Sequence, residues 1–260
     1  MLPEFTVFGL TLKSYSLCAA VAALVCAATV WAPLRRCGYS RLAAVLTLPA
    51  MAVAFLVGAR LWNVAVNPDA YGAQRPWYTL RMVGLSLYGG LAGAAVVLLI
   101  SVRPVRGKPL AVLDAFVLPV ALAFGIARIG CFLNGCCAGI KTSLPWGVVF
   151  PAASAPLPRG LFSFPATAVH PTQLYELILA LAGVPLCRLW VKKMNAGAGG
   201  LFFSYAAWFS LLRLAVLPLR SLPYSKLVTL LAYPALYLIC CMLSVYGAKR
   251  TIQEETGSAP

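Results

Sequence analysis

Five ionisable side chains lie inside otherwise apolar stretches of this chain: Arg60, Asp114, Arg128, Glu176 and Arg213. A charge in hydrocarbon costs from about 2.5 kcal/mol upward, so each of them marks a candidate site. Three are guanidinium groups, whose planar fork fits a phosphate or a carboxylate through two parallel hydrogen bonds. Two readings follow. Arg60 or Arg128 pairs with Glu176 to hold two helices together, or the surplus positive charge takes an outer-leaflet lipid phosphate. The second is favoured, because three arginines face one nearby carboxylate. Arg220, just beyond the stretch that carries Arg213, adds a further donor.

His170 is the only histidine, and it opens the polar run His170-Pro-Thr-Gln-Leu-Tyr-Glu176. Pro171 suits a first helical position, which stacks His170 and Gln173 one turn apart with Glu176 further round. A lone surface histidine is commonly inert, yet this one stands in a polar run at the mouth of an apolar helix. Of the nine cysteines, Cys18, Cys26, Cys187, Cys240 and Cys241 lie in apolar runs as small hydrophobes. Cys131, Cys136 and Cys137 form the one cluster. Its spacing matches neither a CxxC pair nor a closed zinc set, so no metal is expected. A disulfide across the loop is the plain account and a redox-active pair the sharper one.

These residues need apolar helices to position them. The chain has 260 residues, 62% hydrophobic and 10% charged, where soluble domains average about 45–50% apolar and about 25% charged. Disorder, collagen-like fibres and disulfide-dense secreted domains are excluded. The net charge of +15 is spread singly and in pairs between apolar runs, a loop pattern that argues against nucleic-acid binding. A bilayer takes about 20 apolar residues to cross. Seven spans are predicted at 14–34, 43–66, 82–102, 110–134, 171–191, 199–217 and 226–247. The expected fold is an all-α integral membrane protein, a bundle of about seven transmembrane helices. A single domain over 1–247 is predicted, with one longer outward loop at about 135–170 and a polar, unstructured tail at 248–260. Gly89 and Gly93 make a GxxxG pattern in the third span, which predicts close helix packing.

Basic residues set the orientation. One group of loops carries eleven Lys and Arg, the opposite group seven. The positive-inside rule then places the N-terminus outside and the C-terminus in the cytoplasm. Arg60, Arg128, Arg213 and Glu176 fall toward the outer leaflet and Asp114 toward the inner. Met1 to Lys13 has no basic patch ahead of a short apolar core, so no cleavable signal peptide is expected.

Three motifs resemble the prolipoprotein diacylglyceryl transferases, enzymes of the bacterial inner membrane. His170-Pro-Thr-Gln-Leu-Tyr-Glu176 is similar to the family's H-P-[ST]-Q-L-Y-E. Ala127-Arg-Ile-Gly-Cys-Phe-Leu-Asn134-Gly resembles G-R-[LI]-G-N-F-[IL]-N-x-E, and Gly84-Leu-Ser-Leu-Tyr-Gly-Gly-Leu-Ala-Gly93 resembles G-[LM]-S-[FI]-H-G-G-L-[IA]-G. Gly58-Ala-Arg-Leu61 and Asp114 also stand in family-like positions, and the resemblance covers nearly the whole chain. The departures are Tyr88 where the family often has His, Cys131 for Asn, and Cys136-Cys137 where an acidic residue is usual. Leu217 replaces the glutamate in an R-x3-E-x2-R pattern that keeps Arg213 and Arg220.

The resemblance implies transfer of a diacylglyceryl group from phosphatidylglycerol to the lipobox cysteine thiol of an exported prolipoprotein. Its implied partners are phosphatidylglycerol, prolipoprotein signal peptides and membrane lipid; no cofactor is implied. The implied catalytic set is Arg128, Tyr88, His170, Glu176 and Arg213, with Arg128, Asn134, Arg60, Gln173 and Arg220 at the phospholipid headgroup. Tyr88 is the first choice of base and His170 the alternative, since a phenol with a reference pKa of about 10 needs the arginine field to lower it. Two other readings stay open: a membrane thiol oxidoreductase using Cys131, Cys136 and Cys137, and a non-catalytic lipid-binding or transport relative.

Overall fold

The computed structural model describes residues 4–7, 10–68, 85–102, 109–150, 167–222 and 225–257. Seven α-helices carry these residues: α1 (Ser14–Arg36), α2 (Arg41–Val66), α3 (Leu87–Val102), α4 (Pro109–Asn134), α5 (Thr172–Met194), α6 (Gly200–Val216) and α7 (Tyr233–Gly257). Counting the 3-10 turn after α6 and the π turn before α7, six of them are long and apolar enough to cross a membrane. α3 has 16 residues, about 24 Å at 1.5 Å per residue. The predicted third span began at 82, and 82–84 lie outside the described residues. The all-α membrane fold is therefore as expected.

Two features were not predicted. Glu4–Val7 (β1) and Leu10–Lys13 (β2) form a short antiparallel ribbon with Glu4 opposite Lys13. Strands of four residues carry too little alternation to stand out beside long apolar runs. The C-terminal tail was expected to be unstructured, yet α7 runs on to Gly257. It is anchored at Thr251, which is buried, and whose carbonyl accepts from Gly197 N at 3.2 Å.

The chain forms two compact units, one of residues 1–26 and 116–260, the other of 27–115. In the smaller unit α2 packs on α3 so closely that backbone meets backbone. A Cβ on Gly89 would strike the carbonyl oxygen of Gly58, and one on Gly93 the carbonyl oxygen of Ala54. The GxxxG stretch thus does what small residues do between membrane helices. Arg60 on α2 and Tyr88 on α3 both belong to this unit and are half-buried.

In the larger unit α5 packs on α6 and α6 on α7. Val117 and Ala121 of α4, Val184 and Cys187 of α5 and Tyr205 of α6 make one apolar core. The Tyr205 hydroxyl donates to Ala180 O at 3.1 Å and Trp208 Nε1 to Leu179 O at 2.8 Å, which tie α6 to α5. Beyond α4 the chain runs in short extended pieces: Gly139 pairs with Arg220, and Lys141 and Val148 with Val169. Three segments meet at Gly139, where an added Cβ would press on the Leu219 carbonyl and on His170.

Candidate active site

Glu176 sits on the second turn of α5 with its side chain 1% exposed. Burying a carboxylate there is tolerable only with paired charge and satisfied hydrogen bonds. Three guanidinium groups supply both. Arg128 of α4 places Nε 2.7 Å from Oε2. Arg213 of α6 donates from Nη1 to Oε1, and Arg220 donates from Nη1 to the same oxygen at 3.1 Å. Two of them are held from a second side. Arg128 lies over the Phe124 ring, 4.7 Å from its centroid, and Arg213 Nη2 reaches the Tyr237 hydroxyl at 3.4 Å. Tyr237 is itself stacked on Tyr233.

Three guanidiniums on one carboxylate leave two positive charges over. The spare donors are specific. Arg128 spends Nε on Glu176, which leaves both of its terminal amino groups outside that pair. Arg220 keeps a buried Nε with no hydrogen-bond partner. Arg213 has both of its terminal groups engaged, one on Glu176 and one on Tyr237. A buried acceptor is also unused: Gln173 donates from Nε2 to Cys136 O at 2.7 Å, and its Oε1 has no partner. Spare donors beside a spare acceptor suit an anion that also carries hydroxyl groups.

The sequence offers Arg60 or Arg128 as the structural partner of Glu176, and Arg128 is found there together with Arg213 and Arg220. Arg60 and Tyr88 belong to the smaller unit. Asn134 closes α4, two residues before Cys136. One local expectation is corrected. His170 is not stacked on Gln173 along a helix; α5 starts at Thr172, and His170 is extended, with its N–H donating to Ile140 O at 3.0 Å. The cause is Pro171, whose ring disfavours helical backbone in the residue before it. The His170 ring instead hydrogen-bonds the Tyr175 hydroxyl at 3.3 Å, and that hydroxyl also accepts from Trp146 Nε1 at 2.8 Å.

Three participants had no signal of their own. Thr172 donates to Cys137 O at 2.9 Å, and only its place inside the seven-residue motif pointed to it. Tyr237 and Phe124 lie in apolar runs that read simply as membrane helix. In the turn after α4 the Cys137 thiol is held well below its ordinary range. Hydrogen bonds with Cys131 and Cys136 come first among the causes, and the charges of Arg220 and Arg128 add to them against the cost of burial. Cys136 is pushed up to about 12: its bond with Cys131 favours the thiolate but is outweighed by the bond with Cys137 and by burial.

Apolar helices around a buried, net-cationic centre define a multi-pass membrane protein. The profile of the prolipoprotein diacylglyceryl transferases matches residues 3–255, and the chain belongs to that family. Three relatives named phosphatidylglycerol–prolipoprotein diacylglyceryl transferase illustrate the likeness. The protein of Nitrosomonas europaea is 35% identical over 163 residues, 60% of this chain and 54% of its own. That of Clostridium tetani is 34% identical over 140 residues, 54% of this chain and 53% of its own. That of Geobacter sulfurreducens is 29% identical over 216 residues, 78% of this chain and 77% of its own. The chain thus spans about half the length of the first two.

Proposed function

We propose that this chain transfers the diacylglyceryl group of phosphatidylglycerol to the lipobox cysteine of exported prolipoproteins. The observation that carries the reading is the buried Glu176 with its three arginines, which holds two positive charges over and keeps unused donors beside Gln173. In the reaction the cysteine sulfur forms a bond to the glycerol carbon, the bond from that carbon to the phosphate oxygen breaks, and glycerol phosphate leaves with the electron pair. The thiol proton must go to a base. Charge grows on the departing phosphate, so donors fixed there beforehand lower the barrier.

The roles divide by geometry. Arg128 and Arg220 have donors free for the phosphate; Arg213 holds Glu176 and is a positioning residue. Gln173 Oε1 accepts from a headgroup hydroxyl. Tyr88 and His170 remain the two choices of base. Reconstitution with phosphatidylglycerol and a lipobox peptide tests the reading. Mass spectrometry should find a diacylglyceryl adduct on the peptide cysteine; a folded, reconstituted chain that forms no adduct overturns it.

The protein belongs in the bacterial inner membrane, N-terminus outside and C-terminus in the cytoplasm, with the 135–170 loop toward the exported substrate. The uneven spread of Lys and Arg supports this. Lys141 and Gln253 are both exposed and serve as reporters. Lys141→Cys should react with an impermeant maleimide in intact cells, and Gln253→Cys only after permeabilisation. The reverse pattern would put the loop in the cytoplasm, out of reach of an exported peptide.

A further inference from the structure

The sulfurs of Cys131, Cys136 and Cys137 all lie within 4.8 Å of one another. The sequence marks these three as one cluster, and the backbone brings their sulfurs together. Cys131 stands in the last turn of α4, and Cys136 N donates back to its carbonyl at 3.0 Å. Gly135 (φ 72°) and Cys137 (φ 61°) both take left-handed backbone, which turns the chain back on the helix end. A non-glycine residue in that region is uncommon, so something must hold it there. The holders are two buried side chains of α5: Thr172 donates to the Cys137 carbonyl at 2.9 Å and Gln173 to the Cys136 carbonyl at 2.7 Å. All nine cysteines are free thiols, and these three alone are gathered in this way among the described residues.

We propose that the turn closing α4 is a metal site in which the sulfurs of Cys131, Cys136 and Cys137 bind one Cu(I) ion in a three-coordinate arrangement. A metal about 2.3 Å from each of three sulfurs in a plane sets them about 4 Å apart, close to the spacing already present. The donor set selects the ion. Thiolates are soft ligands and favour Cu(I), zinc or iron–sulfur clusters. A structural zinc site wants four ligands, and no fourth cysteine, histidine or carboxylate joins this group among the described residues.

The site does not rest on the transferase reading, and its test needs no transfer assay. The purified full-length chain, kept anaerobic and reduced with a phosphine, is titrated with Cu(I) as its acetonitrile complex against a competing chelator. One equivalent should be retained, with thiolate-to-metal absorption in the ultraviolet and three sulfur neighbours by X-ray absorption. Cys131→Ser, Cys136→Ser and Cys137→Ser should each weaken retention at least tenfold while the melting temperature of the metal-free chain stays near the parent's. A variant with alanine at Cys18, Cys26, Cys37, Cys187, Cys240 and Cys241 should still hold one equivalent, which guards against a serine variant that misfolds. Full retention by a folded triple-serine variant would overturn the site. So would tighter, four-coordinate binding of Zn(II), or a disulfide among the three that persists in the phosphine and excludes the metal.

Discussion

Arg128→Ala is expected to lower diacylglyceryl transfer in the reconstituted assay by about a hundredfold to a thousandfold, with the folded protein still recovered in good yield. That range is the usual cost of losing one fixed donor to a developing negative charge. Stability should fall little, because Glu176 keeps Arg213 and Arg220 when Arg128 is gone. Arg128→Lys should rescue poorly. The arginine turns Nε to Glu176 and keeps two further amino groups for a ligand, whereas a lysine has a single ammonium to serve both. Activity is counted per folded molecule, with lipid affinity measured separately. Turnover near the parent's for Arg128→Ala would remove this residue from phosphate stabilisation.

Glu176→Gln should produce the largest loss of stability of any single substitution at the centre. It keeps the shape but leaves three buried guanidinium groups without a counter-charge. Breaking a buried ion pair by removing one partner costs about 3–5 kcal/mol, and here one carboxylate serves three partners. The variant should melt well below the parent or fail to accumulate. Glu176→Gln combined with Arg220→Gln should recover part of the loss, since one uncompensated charge goes with it. Thermal unfolding in detergent, followed by size-exclusion chromatography, checks both. An unchanged melting temperature for Glu176→Gln would mean that the centre does not hold α4, α5 and α6 together.

The helices were legible because each is a long apolar run, and Pro33, Pro49, Pro119 and Pro185 sit inside α1, α2, α4 and α5 without ending them. Charges within those runs pointed to Arg128, Arg213 and Glu176 through the cost of burying them. Which arginine meets the carboxylate was not legible, because it depends on which helices are neighbours. The sequence offered Arg60 on the same terms as Arg128. His170 was legible only in part: Pro171 marks the helix start and also constrains the residue before it, which keeps His170 out of α5. The thiol cluster needed the left-handed backbone of Cys137, which no residue type announces. The β1–β2 ribbon was too short to register against its surroundings.

The charges of the centre all lie near helix ends, and this bears on how the protein is made. Arg128 is six residues from the last residue of α4 and Arg213 three from that of α6, about 9 Å and about 4.5 Å of helix rise. Glu176 is four residues into α5, about 6 Å from its start. While each helix is still alone in the bilayer, a side chain at such a depth extends along its own stem and keeps its head among the lipid headgroups. The helices can therefore enter one at a time without any of them carrying a bare charge to mid-depth. Only when α4, α5 and α6 come together do the heads leave the headgroups and turn onto one another. The ion pairs of the centre thus form on helix association rather than on insertion.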